Sequence, residues 1–187
     1  MDALELLHNR VSSPMLGDQP PTEEQLQNMF QAAVRAPDHG ALRPWRFLTV
    51  AGNDRAKLGE LFLAAGLADE PEMSEAKQNK LRNMPLRAPM LVVAIAKIQP
   101  HPKVPEVEQQ IAAGAATQNL LLAAFAQGVG GMWRTGDMAY NTQVMEGLGL
   151  AEDEQIIGFV YLGSQPEKMK TLCPLDPADY VQGWPGA

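Results

Sequence analysis

Apolar positions recur at helical spacing along several stretches of the chain and run unbroken through two others. Residues 3–9 carry Leu4, Leu6 and Leu7, which predicts a short first helix. Residues 11–21 hold Ser, Pro, Gly and Asp and read as loop. Thr22 with Gln25 three residues on has the form of a capping box. The helix it opens, 23–35, sets Leu26, Met29, Phe30 and Ala33 on one face, and Pro37 ends it. Residues 55–67 repeat the pattern through Leu58, Leu61 and Phe62, and 74–83 is a polar helix. The longest helical pattern is 106–127. It is almost wholly apolar and small from 111 to 126, which predicts a long, central, buried helix. A short helix over 143–149 ends on glycine.

Strands are expected at 45–50, 90–96 and 155–163. The run 90–96 is rich in Val and Ile, as in a strand buried on both faces. The segments 38–44, 69–73, 99–105 and 128–131 read as breaks. No repeat, low-complexity tract or linker divides the chain. Long helices interleaved with few strands predict a single α+β domain over 1–187 with a small mixed sheet surrounded by helices. The tail from 164 holds four prolines and the apolar residues Leu172, Leu175, Tyr180, Val181 and Trp184. Those side chains need a surface to lie on, and a second subunit is one candidate.

Composition narrows the function. The formal net charge is −7 and the pI about 4.9, so a phosphate backbone is a poor partner and nucleic acid is not expected. The lone Cys173 excludes an internal disulfide, in keeping with a reducing cytoplasm. The first residues lack the pattern of a secretory signal, and no apolar stretch approaches the ~20 residues needed to cross a bilayer. A cytoplasmic protein without a membrane partner is therefore expected. His8, His39 and His101 lie far apart with no paired cysteine, so no metal site is expected. No Walker loop and no Gly-x-Ser-x-Gly elbow occur. The glycines at 128–131 follow a helix rather than a strand, which argues against a Rossmann fingerprint.

Three segments carry polar chemistry. Arg10, Val11, Ser12 and Ser13 follow the first helix, where an Arg fork and a hydroxyl can hold a phosphate. A solvated Arg at a helix end is the alternative. Residues 35–45 place Arg35, Asp38, His39 and Arg43 between Pro37 and Pro44, either as a binding loop or as a proline-stiffened turn. Gly128, Gly130 and Gly131 precede Trp133, Arg134, Thr135 and Gly136. Glycines there permit close approach to a flat ligand, or simply cap a helix and turn into a strand.

Together, and in this order, the three segments resemble the layout of the FMN-dependent nitroreductase family, and most closely its short, single-domain members. The phrases Ala36-Pro37-Asp38-His39, Met132-Trp133-Arg134-Thr135-Gly136 and Gly158-Phe159-Val160-Tyr161-Leu162-Gly163 carry the closer match. The resemblance covers the chain from Met1 to about Gly163.

It implies a homodimer holding two FMN in sites built from both subunits. Arg10, Val11 and Ser12 would contact the phosphate and ribityl region. Arg35 and His39 would reach FMN from the other subunit. Trp133, Arg134 and Thr135 would contact the flavin or phosphate, with Gly130 and Gly131 near the ring. Nicotinamide contacts are implied at Ala123, Ala124, Phe125, Ala126, Gln127 and Gly128.

The chain departs from the family pattern where Val11 and Pro14 replace basic residues, leaving Lys168, Lys170 or Arg134 to substitute. Arg43 and Ala41 stand where many members have Gln and Asn. The activity implied is electron transfer from NADH or NADPH to a small acceptor such as a nitroaromatic or quinone, alternating through the flavin. A flavin-binding sensor or carrier with little turnover is the alternative.

Overall fold

The computed structural model describes residues 1–168 and 170–184. Six helices, α1 (Ala3–Asn9), α2 (Glu23–Ala33), α3 (Asp54–Asp69), α4 (Glu75–Asn83), α5 (Glu106–Ala126) and α6 (Thr142–Gly147), interleave with four strands. The strands are β1 (Trp45–Ala51), β2 (Met90–Lys97), β3 (Val129–Arg134) and β4 (Glu154–Ser164). Side chains of Asp2, Thr22, Ser74 and Asn141 cap α1, α2, α4 and α6 by accepting free N–H groups of the first turn. The Thr22–Gln25 box closes in both directions, at 2.9 and 3.2 Å. α2 stops at Ala33 rather than 35. The N–H groups of Arg35 and Ala36 donate back only three residues, to Ala32 and Ala33, so the last turn tightens ahead of Pro37.

The strand order is β1-β2-β4-β3, and every neighbouring pair is antiparallel. The expected mixed sheet is thus corrected: the four described strands form an antiparallel one. β2 and β3 do run the same way, joined through α5, but β4 lies between them, so no parallel ladder forms. The glycine segment 128–131 was expected to be a break. Only Gly128 turns, with φ 76° just beyond the C-cap of α5, while Gly130 and Gly131 lie within β3.

Residues 91–96 of β2 are all 1% exposed or less. That strand needs cover on both faces, and two helical layers supply it. On one side Leu91, Val93, Ile95, Phe159 and Tyr161 pack with Leu58, Phe62 and Ala65 of α3 and Val144 of α6. On the other, Val92, Val160 and Leu162 meet Met29 and Ala33 of α2 and Ala116, Leu120, Leu121 and Ala124 of α5. α5 is central, but it is not buried all round as its composition suggests. α2 and the sheet cover one face, and Val107 and Ile111 stand 55% and 65% exposed. No helix among the described residues is long and apolar enough to cross a membrane.

One ion pair ties β1 to β4 across the strand between them. Arg46 on β1 donates to both carboxylate oxygens of Glu154 on β4, each at 2.6 Å, bridging over β2. Glu154 is buried and also accepts the Ala151 N–H. The Arg46 hydrogen bonds hold its carboxyl below the usual carboxylate range, against the opposing effect of burial. A depressed folded value stabilises above the unfolded pKa, and that contribution fades as pH falls through the folded one. Glu154→Gln is expected to cost about 1–3 kcal/mol at neutral pH. Urea unfolding at pH 7 and at pH 3 should show the gap between wild type and variant narrowing in acid. A gap that widened would contradict this assignment.

Candidate functional site

The loop leaving α1 is bonded to β3. Arg10 caps the helix, its N–H donating to the Leu6 carbonyl at 3.0 Å. Val11 and Ser13 turn inward and are buried, while Ser12 stays exposed between them. The Ser13 N–H donates to the Gly131 carbonyl at 3.0 Å, and the Gly17 N–H to Ser164 at 2.9 Å. Leu16 fills the space beside Gly130, where an added Cβ would lie 2.7 Å from its Cδ2. At Gly131 an added Cβ would meet Leu121 at the same distance. The two glycines therefore serve close packing within the chain. Openness toward a flat ligand, the reason for which they were singled out, is not what these contacts require.

β3 then carries Trp133 and Arg134 to the exposed Thr135. Trp133 is held from two sides. Its ring neighbours Gly114 of α5, and its Nε1 donates to the Ile157 carbonyl at 3.2 Å. The register between β2 and β4 shifts at this point, where Ala94 pairs with Gly158 but Ile95 with Ile156. The bulge leaves the Ile157 carbonyl out of that ladder. The indole N–H is thus committed inside the chain, which narrows the expected flavin contact of Trp133 to its ring and backbone. Arg134 lies over the Tyr161 ring, 5.8 Å from the centroid.

The segment around His39 sits elsewhere. Ala41 and Arg43 hold φ of 53° and 49°, in the left-handed region that non-glycine residues avoid at a cost of about 1–2 kcal/mol each. The loop is over-determined by its neighbours. Asp38 accepts the Arg43 N–H at 2.6 Å, and Gln99 donates to the Leu42 carbonyl at 2.9 Å. Glu108 of α5 bonds His39 Nδ1 at 2.7 Å, and the imidazole stays largely exposed. Buried Gln109 in turn anchors Gln99 through both of its backbone groups.

This loop leads into β1, one edge of the sheet, whereas the Arg10 loop and Thr135 belong to the β3 edge. Three strand spacings of ~4.8 Å part those edges, about 14 Å. One chain therefore unites two of the three segments and leaves the third on the opposite side.

Arg10, Arg35 and Arg134 make no ion pair among the described residues, although the chain has 22 acidic against 15 basic side chains. Lys168 and Lys170, offered as substitute cations, are exposed just beyond β4. Residues 123–128 close the C-terminal end of α5. Ala124 is fully buried against α2, which leaves it no exposed surface to offer a nicotinamide in this chain. Gln127 bonds Gln25, Asn28 and the Ala123 carbonyl, which occupies its amide. Ala123 and Phe125 are half-buried, and Ala126 and Gly128 are exposed.

Cavities of about 480 and 360 Å³ flank the start of β4, the first beside α6 and the second beside the segment 98–106. Neither is lined by a residue of the three polar segments. No group of three His, Cys, Asp or Glu side chains gathers for a metal among the described residues. Sequence reasoning missed Glu108, which fixes the His39 ring, and Tyr161 beneath Arg134. No local signal marks either, since both act across strands or helices distant in sequence.

The fold and these loops define a class. The Nitroreductase family model matches residues 7–164, and the chain belongs to that family. It is 40% identical over 186 residues to an Escherichia coli K12 protein provisionally named NAD(P)H nitroreductase YdjA, covering 97% of this chain and 98% of that one. A Haemophilus influenzae protein with a similar provisional name is also 40% identical, over 183 residues, covering 97% and 98%. Among solved structures, a nitroreductase-like protein of Bacillus cereus superposes with TM-score 0.84 at 22% identity, covering 100% and 97% of the two chains. A provisionally named nitroreductase of Desulfovibrio desulfuricans in complex with FMN gives 0.75 at 20%, covering 100% and 99%.

Gly158 sets the position of Trp133. A Cβ there would fall 2.1 Å from the indole Nε1 and 3.0 Å from the Arg134 carbonyl. Gly158→Ala should break the Trp133–Ile157 bond and cost about 1–3 kcal/mol through overpacking. A lowered melting temperature with altered tryptophan fluorescence is expected. Wild-type values for both would show that the contact is slack.

Proposed function

We propose that this chain, as a single domain, is an FMN-dependent oxidoreductase that passes electrons from NADH or NADPH to a small acceptor such as a nitroaromatic or quinone. It works as a homodimer in the cytoplasm, where the exposed Cys173 stays reduced. The observation that carries the reading is the joining of the Arg10 loop to β3. It ties the loop that carries an unpaired arginine and an exposed hydroxyl to the strand that carries a second unpaired arginine and leads to Thr135. Those donors fit a phosphate and the oxygens of a flat ring. The names of the YdjA relatives and the FMN held by the Desulfovibrio neighbour point the same way.

Each residue has a task. Arg10 and Ser12, with the backbone at Val11, hold the phosphate end, and Lys168 or Lys170 adds charge where Val11 and Pro14 supply none. Arg134 and Thr135, on the strand of Gly130, Gly131 and Trp133, present donors to the ring. When bound, FMN supplies the redox chemistry, taking hydride from the nicotinamide and returning electrons to the acceptor. The protein needs no acid–base dyad for this, and the polar segments contain none. Arg35 and His39 complete the site of the partner subunit from the β1 edge, with Glu108 holding the imidazole. The exposed faces of α5 and of the tail, where Leu175, Tyr180, Val181 and Trp184 are 70% exposed or more, supply apolar area for the interface.

Purified protein should be yellow and bleach on addition of NADH or NADPH. Initial rates with both substrates varied should give parallel double-reciprocal lines, because donor and acceptor alternate at one face. Intersecting lines would mean a second pocket. A yellow protein that does not bleach would favour the sensor or carrier reading.

The shared site has its own test. Arg10→Ala and His39→Ala should each weaken FMN binding, the former by about tenfold or more for a lost charge-assisted bond. Co-expressed, the two variants should form mixed dimers with one intact site and regain up to half the flavin. No regain would refute a site built from two subunits.

A further inference from the structure

Beside α6 the fold leaves a cavity with apolar walls. Its volume of about 480 Å³ falls in the range of small-molecule sites. Ala139, Met145, Leu150 and Ile156 line it. Ala139 and Ile156 are buried members of the core on the α3 side, and Met145 and Leu150 pack against that core. Tyr140 joins the lining and is 73% exposed.

The walls are held in place by the chain itself. Asn141 caps α6 and donates to Asp69 of α3 at 2.9 Å. A Cβ at Gly147 would meet Leu61 at 2.5 Å, so α6 lies close against α3. The turn from α6 to β4 passes through Gly149, at φ 71°, whose carbonyl accepts from Arg46 at 3.3 Å. The Ala151 N–H then donates to Glu154 at 3.0 Å.

The charged lining has one sign. Glu146, Glu152 and Glu154 border the cavity, and no Lys, Arg or His does. Glu154 is taken up by Arg46. Lys97, opposite Glu154 in the ladder, lies outside the lining. Glu146 and Glu152 are exposed and form no ion pair among the described residues. No group of carboxylates among the described residues gathers closely enough for a metal ion. A cation that reaches both charges must therefore carry its own bulk, and the apolar walls suit an apolar body.

We propose that this cavity binds a small organic cation, an ammonium carried on an apolar body. Glu146 and Glu152 accept from the ammonium, which has donors only. The Tyr140 ring offers it a π face. Met145, Leu150 and Ile156 take the body out of water. The site shares no lining residue with the three polar segments and stands whether or not the chain binds flavin.

The test is an NMR titration of the full chain, as purified, with three probes: phenethylammonium, phenethyl alcohol and methylammonium. The first carries both charge and body, and each of the others lacks one. Phenethylammonium should bind about tenfold or more tightly than either, for one charge-assisted bond or one buried ring. Glu146→Gln combined with Glu152→Gln should lose about tenfold on phenethylammonium and nothing on the alcohol. Glu72→Gln combined with Glu75→Gln removes as much charge from exposed positions that line neither cavity, and should change nothing. Melting temperatures confirm that both variants fold.

An alcohol that binds as tightly as the amine would refute charge selection, and methylammonium binding as tightly would refute a role for the apolar walls. Equal losses in the two double variants would reduce the effect to net charge and overturn the site. Undetected phenethylammonium binding would overturn it as well.

Discussion

The double burial of β2 is the constraint from which the rest follows. A strand with 91–96 sealed on both faces must be paired on both sides and covered above and below. β1 and β4 take its two edges, and α3 with α6 and α5 with α2 take its two faces. Once the centre is spent on cohesion, the polar chemistry is left to the periphery. It gathers at the outer strands, β1 and β3, and in the loops that lead to and from them.

Those two edges are treated differently. The β3 edge is lined by residues 11–17, which donate from Ser13 and Gly17 and pack Leu16 against Gly130. That arrangement is rigid and brings Arg10 beside the strand of Arg134. The β1 edge is entered through a loop in which Ala41 and Arg43 hold left-handed backbone. Such strain persists only where other contacts enforce it, and Asp38, Gln99, Glu108 and Gln109 do so here. Four side chains fixing one exposed loop give His39 a defined position at the surface, far from the other two segments of its own chain.

The helices were largely legible in the sequence, because their signals are local. The Thr22–Gln25 box, the periodicity of 106–127 and the breaks at Pro37 and Gly128 all act within a few residues. β3 was not legible. Its glycines lack the side chains by which a strand announces itself, and their reason is the nearness of Leu16 and Leu121, known only from the packing. The antiparallel order was hidden for a related reason, since periodicity says which residues are buried and not which strand comes next. The three polar segments could be named from motif order. Glu108 and Tyr161 could not, because one meets His39 across 69 residues and the other depends on the β3–β4 register.

The disposition of charge connects fold to function. With 22 acidic and 15 basic side chains, an arginine on this surface has carboxylates to choose from. Arg46 shows what the chain does when an arginine serves structure: it is clamped in two bonds by a buried Glu154. Arg10, Arg35 and Arg134 are left without such partners among the described residues, and all three stand in the segments that the family layout marks. A surface ion pair contributes little stability, so omitting one costs the fold little. The same omission leaves a guanidinium with all its donors available for an anionic ligand, which a paired one could bind only by first giving up its carboxylate. The unpaired guanidiniums of the three segments can therefore serve the proposed anionic ligand without breaking a bond on which the fold depends.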